Sequence, residues 1–125
     1  MNSLQRLQNL LSGKPIDRIP NFDIFMARAV RHIGTPLSKY YLDHRVLCEA
    51  NLAVLKDFDL DIVQTISDPY REAADAGLDV EFPKDNLPLS KTPLITEPEM
   101  LANVRFPVQN FGPRMTDRLE GIRAL

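Results

Sequence analysis

Leu4, Leu7, Leu10 and Leu11 recur at helical spacing behind Ser3, which is placed to cap such a helix, and Gly13 offers a left-handed stop. The pattern predicts a short amphipathic lid. Lys14 to Pro20 carries a proline near each end and reads as a turn that leads into a first strand over Asn21 to Phe25. Thr35-Pro36 predicts the start of a short helix through Tyr40 and Tyr41, and Asp43 caps a longer one. In that longer helix Leu47, Ala50, Val54 and Phe58 fall on one face, widened by Leu52 and Leu55. Asp61 to Ile66 is β-branched, stops at Ser67-Asp68-Pro69, and predicts a buried strand that ends in a loop.

Beyond that point the signals shorten. Tyr70 to Ala76 reads as a turn or two of helix stopped by Gly77, followed by extended pieces at Val80–Phe82 and Leu87–Leu89 in a loose hairpin. Thr96 with Pro98 predicts a helix to about Asn103, and Thr116 another from Asp117. Its stripe of Leu119, Ile122 and Leu125 reaches the last residue without a glycine or proline stop, which predicts an incomplete segment of a larger domain. Ten prolines against five glycines, clustered between Pro83 and Pro113, suggest rigid extended chain there.

Composition narrows the class. A length of 125 residues, 44% hydrophobic and 26% charged, sets one domain as the ceiling. A formal charge of -2 provides no general field for nucleic acid or an anionic membrane. Met1 to Leu11 is too polar for a signal peptide, no stretch approaches a membrane span, and the single cysteine, Cys48, has no internal disulfide partner. A cytoplasmic location is the expectation.

The order helix, strand, helix, strand is that of parallel α/β architecture. The run Leu10 to Pro20, with Gly13-Lys14-Pro15-Ile16-Asp17-Arg18-Ile19-Pro20 at its heart, resembles the opening of the uroporphyrinogen decarboxylase superfamily. Tyr40 to Ala50, Asp61 to Asp68 and Val80 to Pro83 resemble the same family's N-terminal third, in the same order. The resemblance implies an α/β fold, a partial (β/α)8 TIM barrel in which residues 1–125 supply N-terminal helices and the first strands. The Tyr40-Tyr41 pair and the Asp43–Leu47 stretch look most similar to the corrinoid-dependent methyltransferase branch, which moves a methyl group from a methylated cobamide to a thiol. The alternative is the tetrapyrrole decarboxylase, whose Arg-Gln-Ala-Gly-Arg-Tyr signature is replaced here by Met26 to His32, with Arg31 in register and Arg28 displaced by one. A non-catalytic remnant or fragment that works by oligomerisation or binding is the third reading.

Asp68 is the candidate catalytic residue, since a carboxylate at the end of a barrel strand faces the site and accepts hydrogen bonds from N–H groups or stabilises a cation. Its plain alternative is a turn residue that caps the next helix. Arg28 and Arg31, three apart, are candidate ligand-binding residues for a carboxylate or phosphate, or solvated ion-pair partners. His44 and Cys48 are four apart but have no second pair to complete a zinc site, so Cys48 reads as core. Tyr40 and Tyr41 read as packing. The segment itself is expected to bind no metal or cofactor, with corrinoid and zinc implied only for a full-length methyltransferase. Its expected partners are a small-molecule or corrinoid-protein substrate and a second copy of the chain.

Overall fold

The computed structural model describes residues 1–104 and 111–125; Arg105 to Asn110, including Pro107 of the proline-rich stretch, lie outside the described residues. Helix α1 (Ser3–Leu11) is capped by Asn2, one residue before the expected Ser3: Asn2 Oδ1 accepts from Gln5 N at 2.8 Å, and Gln5 Oε1 accepts from Asn2 N. The asparagine prevails because Gln5 stands three residues after it and closes a reciprocal box. Its leucines do not form the buried side of this helix: Leu4 and Leu11 are exposed, and the buried residue is Arg6.

Helix α2 (Ala27–His32) was not marked by apolar periodicity, yet Ala29 and Val30 are completely buried. Helix α3 (Leu37–Leu42) begins after Pro36, and Thr35 makes no capping bond. Helix α4 (His44–Asp57) is capped by Asp43, as its sequence predicts, through a bond from Arg45 N at 3.0 Å. It is the hub against which α2, α3 and α6 (Pro113–Ala124) pack, and Leu47, Cys48, Ala50 and Val54 form its core face. Gly121 of α6 allows that approach, since a Cβ there would sit 3.3 Å from His44 Cβ. Helix α5 (Arg71–Asp75) packs on α6. Among the described residues no helix is long and apolar enough to cross a membrane.

The start of α6 corrects the expected cap at Thr116. The helix begins at Pro113, and the carboxylate of Asp75, at the end of α5, accepts from Arg114 N at 3.0 Å and Met115 N at 2.8 Å. Asp75 thus does from another helix what an N-cap side chain does locally. A Cβ at Gly112 would fall on that carboxylate, which explains the glycine. Gly112→Ala and Asp75→Ala should each lower stability by about 1 kcal/mol. In urea titrations the double variant should lose no more than the worse single one, because both remove the same cap.

The barrel strands expected at Asn21–Phe25 and Asp61–Ile66 are not formed among the described residues; the one strand-like pairing is an antiparallel bridge between Glu81 and Leu89, with N–H to carbonyl bonds of 2.9 and 3.1 Å. That bridge closes the predicted hairpin. The two extended segments do meet: Asp61 N donates to Asn21 O at 2.9 Å, but Asn21 N donates to the Asp61 carboxylate instead of returning a backbone bond. A ladder needs repeated backbone pairs, and a parallel strand needs cover on both faces. Here Phe22, Ile24, Ile62 and Ile66 remain exposed.

An ionic knot holds the N-terminal run to this junction. Arg6 Nε donates to Asp17 at 2.7 Å and its Nη1 to Asp61, while Arg18 Nη1 donates to Asp61 at 2.5 Å. The Asp17-Arg18 dipeptide therefore fastens the Lys14–Pro20 turn to the start of the 61–66 segment.

Candidate functional site

The chain leaves the 61–66 segment through Ser67 and Asp68 and turns at once into α5. Asp68 Oδ1 accepts from Tyr70 N at 3.0 Å, the local bond of an Asx turn, while Oδ2 accepts from Ser67 Oγ at 2.7 Å and from Arg114 Nη2 at 2.5 Å. Its side chain is 1% exposed. The sequence suggested a carboxylate facing the site from the end of a strand; the structure buries Asp68 and pairs it with Arg114, which arrives from α6, 46 residues later.

Arg114 is itself held. Its Nη1 donates to Tyr41 O, and its guanidinium lies 4.8 Å from the centre of the Phe82 ring. Beside it the completely buried Arg71 donates from Nε to Ser67 Oγ at 2.7 Å and from Nη1 to both Arg114 O at 2.7 Å and Asp117 Oδ2 at 2.9 Å. Asp117 in turn accepts from His44 N at 2.8 Å and contacts His44 Nδ1 at 2.9 Å. Two arginines and two aspartates, from the turn itself, α5 and α6, thereby fix the Ser67-Asp68 turn against α4 and α6.

A cleft of about 470 Å³ opens over this turn, walled by Met26, Ile66, Pro69, Leu87 and Pro88, with Ser67, Asp68, Tyr41 and Tyr70 as its polar contributors. Met26 holds φ +46°, a left-handed conformation that costs a non-glycine residue about 1–3 kcal/mol and concentrates at functional sites. The Tyr41 hydroxyl is buried and has no hydrogen-bond partner among the described residues. Burial and the nearby Asp68 charge push its phenol up from the ordinary tyrosine range, against an opposing pull from Arg31, so it stays a protonated donor at neutral pH. Tyr40, by contrast, donates to Ile66 O at 3.0 Å and packs edge-on against Tyr41.

Arg28 and Arg31 lie on one exposed side of α2 and share two adjacent hollows, one with Phe25, His32 and Phe58, the other with Asp85, Asn86 and Leu87. Neither makes an ion pair among the described residues. Leu87 is the wall common to the second hollow and the Asp68 cleft. Cys48 is buried in the core, its Sγ 3.4 Å from Gly121 O, and burial pushes its thiol up. Asp43, His44 and Asp117 bring ligand atoms within 4.8 Å of one another, but Asp43 caps α4 and binds Arg45 while Asp117 serves His44 and Arg71. These residues do not fit a catalytic zinc.

Arg71, Arg114 and Asp117 were missed in the sequence because each sits in an ordinary charged helical segment. The four-residue spacing of Ser67 and Arg71 and the three-residue spacing of Arg114 and Asp117 are the only local traces of the network.

The family model described as Uroporphyrinogen decarboxylase (URO-D) matches residues 2–125. No curated protein matches the sequence. Among solved structures, a methyltransferase from Methanosarcina mazei is similar with a TM-score of 0.72 at 18% identity over 99% of this chain. The chain spans 38% of the length of that solved chain.

Proposed function

Because this chain belongs to the uroporphyrinogen decarboxylase family, we propose that it forms the N-terminal part of a protein that moves a methyl group from a methylated cobamide to a thiol. The observation that carries this reading is the cleft over Asp68: its walls are mostly apolar, and Arg114 already neutralises its carboxylate from behind. Such a pocket suits a compact substrate with an apolar body. The similar fold of a methyltransferase supports the same choice.

The methylated cobamide, as substrate, would supply the methyl carbon: its bond to cobalt breaks with the electron pair left on the cobamide as the sulfur–carbon bond forms, and the thiol proton is lost to solvent. Asp68, held on three sides, is the group at the cleft that accepts a hydrogen bond from the S–H or from an N–H of the bound partner. Arg114 and Ser67 act through Asp68 by holding it in place. Arg28 and Arg31, outside the cleft, are suited to meet anionic groups of the substrate or of a corrinoid protein. The same pair favours a second reading: two same-face arginines without ion pairs suit the carboxylates of a tetrapyrrole, as a decarboxylase requires.

The test is an assay of the whole protein with methylcobalamin and 2-mercaptoethanol, run beside one for decarboxylation of uroporphyrinogen. Methyl transfer to sulfur is the expected result, and Asp68→Asn should lower turnover at least tenfold. Because Asp68 is buried and ion-paired, the variant should also melt lower, unlike an exposed loop residue. Decarboxylation without methyl transfer would move the protein to the second reading; full activity in Asp68→Asn would make Asp68 purely structural.

A further inference from the structure

We propose that the Tyr41 hydroxyl is the donor that positions an acceptor oxygen, in the form of a carboxylate on an apolar body, inside the Asp68 cleft. The inference rests on the reading of that cleft as the active site and adds to it a residue that the sequence assigned to packing. Three observations meet at Tyr41. Its ring is 1% exposed and belongs to the core, yet it also lines the cleft. Its hydroxyl is buried without a partner among the described residues, whereas Tyr40, next to it, finds Ile66 O and Asn51. Buried hydroxyls are nearly always satisfied, so an unpaired one on a residue that lines a cleft marks a place for a ligand atom.

The neighbours select the kind of atom. Asp68 already accepts three hydrogen bonds and is charge-paired, so it does not compete for the phenol proton. The phenol stays protonated and offers one donor and no positive charge. The hollow that Arg31 lines shares its Leu87 wall with the cleft, which sets a cation beside it and favours an anion over a neutral acceptor, while the negative charge of Asp68 is paired with Arg114. The apolar walls at Met26, Ile66, Pro69, Leu87 and Pro88 receive the ligand's body. Tyr41 acts here as a binding and specificity residue; no bond to it is made or broken.

The test uses benzoate as the probe, a ring with one carboxylate, and benzylamine as a ring without an acceptor. Binding of both to the whole protein is followed by NMR titration in wild type and Tyr41→Phe. The variant keeps the ring and removes only a group with no partner, so it should fold and melt at or slightly above the wild-type temperature. Benzoate should bind wild type and lose about tenfold or more in affinity in Tyr41→Phe, the size of a hydrogen bond to a charged acceptor. Benzylamine should be indifferent to the change. Equal benzoate affinity in both proteins, or no benzoate binding to wild type, would overturn the proposal, as would a drop of several degrees in melting temperature, which would mean the hydroxyl serves the fold. The two readings fail separately. If Asp68→Asn abolishes turnover while Tyr41→Phe changes neither benzoate binding nor KM, only the Tyr41 inference falls; Tyr41-dependent benzoate binding with full activity in Asp68→Asn would remove the active-site reading alone.

Discussion

Arg71→Met should cost about 3–5 kcal/mol, the range for removing one partner of a buried ion pair. Native domains hold only about 5–15 kcal/mol in total, so the loss would unfold a large share of the population under mild denaturant. Arg71 is completely buried and donates to Ser67, Arg114 O and Asp117 at 2.7 to 2.9 Å. Methionine fills much of the same space but donates to none of them. The Asp117 carboxylate would keep only His44, and a carbonyl of α6 would face apolar side chains. Lysine keeps the charge but cannot reproduce a fork that serves three acceptors, so Arg71→Lys should recover only part of the loss. Adding Asp117→Leu to Arg71→Met should cost less than the sum of the two changes, since it removes the carboxylate left unpaired. Urea titrations of wild type and these four variants measure this. A loss below about 1 kcal/mol in Arg71→Met would show that the Asp75 cap and packing join α5 to α6 without help from Arg71.

The second large effect lies at the other end of the molecule. Asp61→Asn should cost about 3 kcal/mol, because Asp61 is 0% exposed and is the shared partner of Arg6 and Arg18 as well as the acceptor for Asn21 N. Asparagine can accept one of these bonds but carries no charge to set against two guanidinium groups. Acid should reproduce the effect. Burial works against ionisation of Asp61, but the Asn21 N–H, the Ser3 side chain and Arg18 outweigh it and hold the carboxyl below its ordinary value of 3.8. A hydrogen bond from Arg6 does the same for Asp17. Both folded-state values are depressed, so the contribution is fully present above the unfolded value and is lost as pH falls below it toward the folded values. Urea midpoints should therefore be flat with respect to these groups above about pH 5 and decline below pH 4. In Asp61→Asn that decline should be shallower. An equal acid slope in the two proteins would show that Asp61 does not link protonation to folding.

The sequence by itself determined the local events. Helical spacing and a capping aspartate placed α4, the Gly77 stop ended α5 with φ +107°, and the Lys84-Asp85-Asn86 turn closed the hairpin joined at Glu81 and Leu89. The family resemblance was legible too, because motifs in order survive without any contact being known. Cooperation between distant residues was not legible. Asp68 could be singled out as the end of a β-branched run, but its partner Arg114 lies 46 residues away, and nothing in Gly112-Pro113-Arg114 announces a buried cation. Tyr41 looked like its neighbour Tyr40 until the fold satisfied one hydroxyl and left the other open. The aromatic-rich run at 21–25 and the β-branched run at 61–66 have strand propensity, but a strand exists only where another backbone completes its ladder, and among the described residues none does. Propensity, capping and turns act within a few residues of chain and can be read along it. Ion pairing, hydrogen-bond satisfaction and sheet formation depend on which groups the tertiary structure brings within about 3 Å, and only the folded chain decides that.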